Sequence, residues 1–279
     1  MARGSSFAAL LPCALLLACS GETRVTLLAP IETQPDSGGT TDAAADTGSD
    51  AASRPPLAAL HLIHRYSFEG EGTRVVDSVG AADGSAEGGA VLDGAGHITL
   101  DGKDDYVNLP NGLVSGLKDA TLIAWIVWSG GPCWQRVFDF GSTDAGEDRV
   151  GKATSSLFLT PLRCPGTGPA TSLQTIGNQF GSVDSDAPFP ELKRSVIAAV
   201  VDMTRNELRL YAAGKSLGTG MARSLAELSD ENDWLGRSQW VQDTHFMQGT
   251  YDEFRIYDVA LSDADLAALE AAGPDALAP

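Results

Sequence analysis

Short stretches of alternating or continuous apolar residues recur along most of this sequence, a pattern that predicts β-strands. Residues 62–68 alternate between apolar and polar side chains and predict the first strand. Residues 121–128 are apolar on both faces, so they predict a strand that is covered on both sides. We therefore expect residues 121–128 in the middle of a sheet.

The stretch 249–258 predicts a second central strand. Read with a period of two, Asp252 lies on the same face as Phe254 and Ile256. The residues on the opposite face are Tyr251, Glu253, Arg255 and Tyr257. Because both faces carry apolar side chains, this strand is expected to be packed on both sides.

Further strand-like runs, separated by turn residues, are 90–92, 97–100, 106–109, 136–140, 156–159, 173–179, 195–202 and 207–213. Roughly a dozen strands with no long helix between them predict an all-β fold built as a two-sheet antiparallel sandwich. One short helix is predicted at the C-terminal end. Ser262 is its N-cap, Asp265 stands at the capping-box position, and Leu266 and Leu269 supply an apolar face.

The N-terminus has the pattern of an export signal. Arg3 precedes an apolar run at residues 7–17, which is too short to span a bilayer. The run ends in LLACS, residues 16–20, which resembles a bacterial lipobox. These features predict a lipoprotein signal peptide over residues 1–18 and acylation of Cys19, whose acyl chains alone would hold the protein to a membrane. The alternative is an ordinary secretory signal that contains an accidental cysteine.

The residues after Cys19 predict a tether and then a single domain. Ser20 resembles an outer-membrane sorting signal, so we expect an exported, lipid-anchored protein of the outer membrane or cell surface. Residues 19–56 lack aromatic side chains and are rich in small polar residues, which predicts a disordered tether. A domain is expected over residues 57–272, followed by a tail at residues 273–279.

Composition narrows the class of partner. The 279 residues carry a net charge of −18, so nucleic acid, whose phosphates would be repelled, is not an expected ligand. Of the four cysteines, Cys13 lies in the signal peptide and Cys19 is the predicted lipidation site. The other two, Cys133 and Cys164, are expected to form a disulfide in an exported protein, with two buried free thiols as the alternative. A zinc site is not expected, because no second cysteine pair with ligand spacing exists.

Several segments, taken in order over about residues 60–270, resemble the laminin-G-like domain of bacterial surface proteins, a concanavalin A-like jelly roll. They are RYSFE at 65–69, VDSVG at 76–80, LDGKDDYVNLP at 100–110, TLIAW at 121–125, LRLY at 208–211, WLGRS at 234–238, DEFRIY at 252–257 and ALS at 260–262. The resemblance implies a jelly-roll sandwich with a concave face and a binding role. It further implies a carbohydrate or protein ligand of unknown identity and, in many relatives, a structural calcium.

The resemblance also implies where calcium would bind. In similar domains an acidic residue in an early turn and one on the last strand converge with backbone carbonyls, and calcium prefers such oxygen ligands. Asp77, the carbonyl of Gly80, and Asp252 occupy the matching positions. The alternative is that Asp252 caps turn amides or binds Arg65 or Arg255 without a metal.

The remaining polar motifs favour structural roles. Glu253 and Arg255 stand two positions apart on one strand face and are expected to form an ion pair inside the sandwich. Asp104 and Asp105 are expected at a hairpin tip. The four histidines have no metal-binding spacing, and the sequence contains neither a nucleophile elbow nor a phosphate-binding glycine loop. Hydrolases of this fold carry a Glu-x-Asp-x-Glu strand, which is absent here, so we expect no enzyme activity.

Aromatic residues in predicted loops are the candidate ligand platform. Trp128, Trp134, Trp240 and Phe246 are placed near loops, where a sugar ring could stack on them; core or loop packing is the alternative. The leading hypothesis is a non-catalytic, surface-anchored domain that binds a carbohydrate or an extracellular or envelope partner. The alternatives are a structural or adhesive envelope protein with no small ligand, and a diverged glycoside hydrolase or lyase.

Overall fold

Two antiparallel sheets contain nearly all the regular structure of the computed structural model, which describes residues 61–177 and 179–276. In spatial order, the nine-stranded sheet contains β15 (Lys215–Met221), β14 (Glu207–Ala212), β13 (Arg194–Asp202), β8 (Ala120–Trp128), β17 (Gln248–Tyr257), β6 (Ile98–Asp101), β5 (Leu92–Asp93) and β2 (Glu71–Gly72), with β1 (Leu62–Tyr66) paired to β17. The eight-stranded sheet contains β12 (Gln179–Asp184), β11 (Ala170–Thr175), β10 (Ala153–Thr160), β9 (Phe138–Thr143), β16 (Asn232–Leu235), β7 (Tyr106–Leu109), β4 (Gly84–Glu87) and β3 (Arg74–Val75).

The inner faces of the two sheets pack on one hydrophobic core. Phe254 from the nine-stranded sheet lies with its ring centroid 5.9 Å from that of Phe138 and 6.0 Å from that of Phe140, both from the eight-stranded sheet. These tilted and edge-on arrangements are the ones that aromatic rings prefer. Because residues from both sheets are fully buried in this core, the predicted two-sheet sandwich is confirmed.

The predicted central strands are confirmed as well. β8 pairs with β13 on one side and β17 on the other, and β17 pairs in turn with β1 and β6. Their outer faces form a second apolar cluster, which includes Trp125 and Tyr257. This cluster is covered by helix α1 (Asp263–Ala272), whose Leu266 and Leu269 are buried against it.

Helix α1 begins with the predicted capping box. The Ser262 side chain accepts a hydrogen bond from the Asp265 backbone N–H, and the Asp265 side chain accepts one from the Ser262 backbone N–H. The helix ends at Gly273, whose φ of 85° lies in the left-handed region that glycine tolerates best. A short 3₁₀ turn at Leu225–Glu227 precedes β16.

A β-bulge in β17 corrects the predicted alternation of this strand. Tyr251 pairs with Ile126 and Glu253 pairs with Trp125, so Asp252 is an extra residue between two consecutive ladder positions. Tyr251 therefore lies in the inner core with Phe254, whereas strict alternation places it with Tyr257 on the outer face. The prediction that Asp252 shares the face of Phe254 and Ile256 was wrong because a bulge shifts the phase of a strand by one residue.

The turn predicted at Asp104 and Asp105 also differs. These residues connect β6 to β7. Because the two strands belong to different sheets, the connection crosses from one sheet to the other and does not form a hairpin. Asp105 is buried, and its Oδ2 accepts the backbone N–H of Asp101 at 3.0 Å. The predicted disulfide is present between Cys133 and Cys164, whose Cα atoms are 5.8 Å apart.

The described residues belong to one compact unit, and the domain bounds at residues 57 and 272 stay predictions. The predicted signal peptide 1–18, the acylated Cys19 and the tether 19–56 lie outside the described residues. Over residues 61–177 and 179–276, no helix combines the length and hydropathy that a bilayer crossing requires.

Candidate functional site

A single loop covers the outer side of the eight-stranded sheet at β9 and β16. We call residues 237–246 the covering loop. Met247 N–H donates to the Gly236 carbonyl at 2.8 Å and closes the loop at its base. Gln239 Nε2 donates to the main-chain carbonyls of Asp139 at 3.1 Å and Asn232 at 2.7 Å. The loop is therefore fixed by hydrogen bonds to two neighbouring strands.

Asp139 is the central residue of this attachment. It points away from the core, because its neighbours Phe138 and Phe140 face inward, and the loop buries it completely. Its Oδ2 accepts hydrogen bonds from Arg136 Nε at 3.0 Å and from Gln239 N–H at 3.1 Å. Arg136 Nη2 also donates to Asp243 Oδ2 at 2.5 Å, which ties a second point of the covering loop to the same residues.

Burial raises the pKa of Asp139 to about 6, although Arg136 and the backbone N–H of Gln239 act in the opposite direction. The Asp139 Oδ1 atom has no hydrogen-bond partner among the described residues, in keeping with the cost of burying its charge. The attachment therefore holds the loop through a carboxyl group that is poorly solvated when ionised.

The covering loop forms an apolar cavity of about 210 Å³. Trp240 and Phe246, both half-buried, line it together with Val150 and Val241. The polar side chains at the cavity are Arg237, Ser238, Asp243, Thr244 and His245. All the lining residues except Val150 belong to the covering loop, so one segment determines the shape and chemistry of this cavity.

Arg237 is held in place by aromatic rings. Its guanidinium carbon lies 4.1 Å from the ring centroid of Trp234 and 4.5 Å from that of Tyr106. The Tyr106 ring is in turn 6.1 Å from Trp234 and 6.3 Å from Phe246. Stacking of this kind orients a guanidinium and leaves its edge available for hydrogen bonds.

Of the four aromatic residues predicted as a ligand platform, the structure brings Trp240 and Phe246 together at this cavity. Trp128 is only 2% exposed, and its Nε1 donates to Gln135 Oε1 at 3.1 Å. The placement of Trp128 near an accessible loop was therefore wrong, because β8 extends through this residue into the core. Trp134 is half-buried and packs edge-on against Phe158 outside the cavity.

The predicted calcium ligand Asp77 already has a full set of hydrogen bonds. Its Oδ1 accepts the backbone N–H groups of Arg65, Val79 and Gly80 at 2.9, 3.1 and 3.0 Å. Its Oδ2 accepts from His64 Nδ1 at 2.7 Å and from Ala82 N–H at 3.0 Å. Burial opposes ionisation, but these hydrogen bonds lower the pKa of Asp77 to about 2.

Asp252 has a different partner. Its carboxylate forms two hydrogen bonds with Arg194, at 2.6 Å from Nε and 3.1 Å from Nη2. The partner is thus neither Arg65 nor Arg255, the two arginines considered from the sequence. Both carboxylates therefore have hydrogen-bond partners, and calcium binding at Asp77, the Gly80 carbonyl and Asp252 stays a prediction.

A second group of carboxylates, Asp101, Asp104 and Asp105, lies within 4.8 Å of one another. Lys103 Nζ donates to Asp101 Oδ2 at 2.9 Å, and Asp105 accepts a backbone N–H, so both carboxylates already have partners. These contacts account for the cluster as turn structure, and we assign no metal to it.

A polar cavity of about 580 Å³ lies beside Arg194 and Asp252. Its other charged lining includes the carboxylates of Glu69, Glu253 and Asp275, and none of its described lining residues is Trp, Tyr or Phe. A sugar ring would find no stacking surface there, so the cavity under the covering loop is the better candidate for a ligand site.

Together these features define the class of protein: an antiparallel jelly-roll sandwich with a loop-built aromatic cavity on one sheet. The chain belongs to the concanavalin A-like lectin/glucanases superfamily, because the laminin-G-type family profile of that description matches residues 101–267. This assignment agrees with the family resemblance of the sequence. No curated protein sequence matches the chain.

Several solved structures have the same fold. Domain 4 of AbnA, an extracellular arabinanase from Geobacillus stearothermophilus solved with arabinotriose, superposes with a TM-score of 0.58 at 21% identity, covering 75% of this chain and 98% of that one. A botulinum neurotoxin type C structure, described by its dependence on two ganglioside molecules for cell entry, gives 0.57 at 14% identity, covering 77% and 52%. Trypanosoma rangeli sialidase gives 0.55 at 12% identity, covering 75% and 32%.

Proposed function

We propose that this protein is a non-catalytic carbohydrate-binding domain whose ligand occupies the cavity under the covering loop. The main support for the proposal is that Trp240 and Phe246 line the same apolar cavity, which has polar groups at its rim. Sugar rings have apolar C–H faces that stack on aromatic side chains, and their hydroxyl groups hydrogen-bond to polar neighbours.

The carboxylates near the cavity support binding over hydrolysis. Glycoside hydrolases need two carboxyl groups on opposite sides of the scissile bond. Among the described residues that line the cavity, Asp243 is the one carboxylate, and Arg136 already pairs with it. A single paired carboxylate is suited to orienting a ligand and lacks the second group that hydrolysis requires.

The similar structures support the same class of ligand. One was solved with arabinotriose, another is described by its interaction with gangliosides, and both ligands are carbohydrates. At 21% and 14% identity they do not indicate which sugar this chain binds. The choice of sugar has to come from the residues of the cavity itself.

A glycan array with the purified full-length chain tests the proposal. Wild type should bind a subset of glycans, and Trp240→Ala or Phe246→Ala should weaken that binding roughly tenfold or more, because a stacking surface is lost. Trp134→Ala is the matched control, since Trp134 is a half-buried aromatic residue outside the cavity. An array with no wild-type signal would exclude the carbohydrate reading, and loss of binding only in Trp134→Ala would exclude this cavity.

We also propose that acyl chains on Cys19 anchor the domain to the outer membrane or cell surface. The support is the sequence LLACS at residues 16–20 after an apolar run. Cys19→Ala should move the protein from the membrane fraction to the soluble fraction of expressing cells. Cys13→Ala is the control and should stay in the membrane fraction, because it lies within the cleaved segment. Membrane association of Cys19→Ala would contradict the anchor.

A further inference from the structure

Arg237 has no carboxylate partner among the described residues, although the chain is strongly acidic. Other arginines in comparable positions are paired: Arg136 with Asp139 and Asp243, and Arg194 with Asp252. The carboxylate nearest to Arg237 in the cavity lining, Asp243, is held by Arg136. Within the described part of the chain, no carboxylate forms an ion pair with this guanidinium at the cavity.

Neighbouring aromatic rings hold the Arg237 guanidinium at the cavity. Its guanidinium stacks on Trp234, which is fully buried, and on Tyr106. Its buried Nε has no hydrogen-bond partner among the residues that the structure describes. The guanidinium is thus fixed on one side by rings, and it lines the same cavity as Trp240 and Phe246.

We propose that Arg237 selects acidic glycans by pairing with the carboxylate of a sugar residue whose ring stacks on Trp240 or Phe246. This inference rests on the proposed carbohydrate-binding function and adds the chemical class of the ligand. A guanidinium presents two parallel N–H donors that match the two oxygens of a carboxylate, and such a pair is stronger in an apolar site than in water.

The net charge of −18 does not oppose this selection at close range. At physiological ionic strength, charges separated by more than about 8 Å are largely screened. The balance at the cavity therefore depends on Arg237, on the paired Asp243 and on the exposed His245. Of these, Arg237 is the permanent charge that a carboxylate would meet.

The first test is the composition of the glycan array hits for the full-length wild-type chain. The inference predicts that glycans with uronic or sialic acid residues dominate the hits. Hits among neutral glycans alone would overturn it while leaving the proposed function in place. An array with no hits would overturn both.

The second test compares matched probes by titration calorimetry at one pH and salt concentration. If uronic acids dominate the array, the pair is trigalacturonate and its methyl ester; if sialic acids dominate, it is sialyllactose and lactose. Wild type should prefer the acidic member roughly tenfold, the difference expected for one charge-assisted pair. Arg237→Gln should remove this preference, with its affinity for the neutral member changed by less than about threefold.

Two further variants separate ligand pairing from a structural role. Arg237→Lys keeps the charge but loses the paired donors, so it should retain part of the preference that Arg237→Gln loses. Arg205→Gln removes the same charge from an exposed arginine in the turn between β13 and β14, on the nine-stranded sheet, and should leave the preference unchanged. Equal affinity of wild type for both members of a pair, or a full preference in Arg237→Gln, would overturn the inference.

Discussion

The outer faces of the two sheets contain the same stacked pair in two different settings. On the nine-stranded sheet, Arg255 lies 4.7 Å from the ring centroid of Trp125; on the eight-stranded sheet, Arg237 lies 4.1 Å from that of Trp234. The difference is the carboxylate. Glu253 accepts a hydrogen bond from Arg255 Nε at 2.6 Å, whereas Arg237 has no carboxylate partner within the described part of the chain.

The outer faces of the two sheets are also covered in different ways. Arg255 and Arg65 both bind Glu253, and both donate to the Pro274 carbonyl at the end of helix α1. The nine-stranded sheet is therefore sealed here by helix and ion pairs. The eight-stranded sheet is covered by a loop that leaves a cavity next to its stacked arginine. An arginine stacked on a tryptophan has a structural role when a carboxylate of the same protein pairs with it. Without such a carboxylate, the arginine is a candidate contact for a ligand.

The largest effect should come from breaking the neutralised pair. Glu253→Ala should lower the free energy of unfolding by roughly 3–5 kcal/mol, because it leaves two arginines without their carboxylate in a buried site. Chemical denaturation measures this loss. Asp186→Ala is the control: its partner Arg163 forms an ion pair with a mostly exposed carboxylate, and such pairs contribute about 0–1 kcal/mol. Equal losses in both variants would contradict the structural role of Glu253.

A smaller effect, with a defined pH dependence, is expected at Asp139 under the covering loop. Its pKa is about 6 in the folded protein, above the ordinary value of 3.8, so the folded state binds more protons than the unfolded state between these values. The stability that Asp139 contributes should therefore fall as pH rises from about 4 to 6, by roughly 1–3 kcal/mol. Asp139→Asn lacks this titration, and the difference in unfolding free energy between wild type and variant measures it.

Asp77→Asn is the matched control of opposite sign. The pKa of Asp77 is lowered to about 2, so its contribution is present above the ordinary pKa and is lost as the pH falls below it. The wild-type advantage over Asp77→Asn should thus grow as pH rises through the acidic range, while that over Asp139→Asn shrinks. A difference from Asp139→Asn that stays constant between pH 3.5 and 7 would be inconsistent with a raised pKa.

The smallest effect concerns the helix that seals the nine-stranded sheet. Ser262→Ala removes the N-cap of α1 and should lower the free energy of unfolding by about 1 kcal/mol, because the Asp265 backbone N–H loses its acceptor. Thermal or chemical unfolding detects the change, with the exposed Ser216→Ala in β15 as control. The glycan binding proposed for the covering loop should be unaffected. Lost binding in Ser262→Ala would mean that the two faces are coupled.

Sequence patterns predicted those strands and the helix that depend on residues close together in the chain. The apolar faces of 121–128 and 249–258 identified the central strands, and the Ser262–Asp265 spacing identified the start of the helix. The disulfide followed from the two cysteines that remained after Cys13 and Cys19 had been assigned. Each of these conclusions needs only the identities of residues near one another in sequence, or a count of one residue type.

The features that were missed depend on residues far apart in the chain. The bulge at Asp252 is set by the pairing of β17 with β8, which no alternation within 249–258 reveals. Trp128 is buried because Phe189 and Gln135 reach it from other segments. The same holds for Arg237: that none of the described carboxylates pairs with it becomes visible only from its spatial neighbours. The WLGRS segment marked this region as family-like without indicating the role of its arginine.

One consequence follows from the covering loop being a continuous stretch. Because residues 237–246 supply every cavity side chain except Val150, the proposed ligand preference could change through substitutions in this stretch while the sandwich and its disulfide stay the same. The anchoring Asp139 and Arg136 lie outside the stretch, and the loop meets them through Gln239 and Asp243. A transplanted loop would carry the proposed recognition only to a host that also supplies these anchors, the backbone of Gly151 and the rings of Trp234 and Tyr106 that hold Arg237.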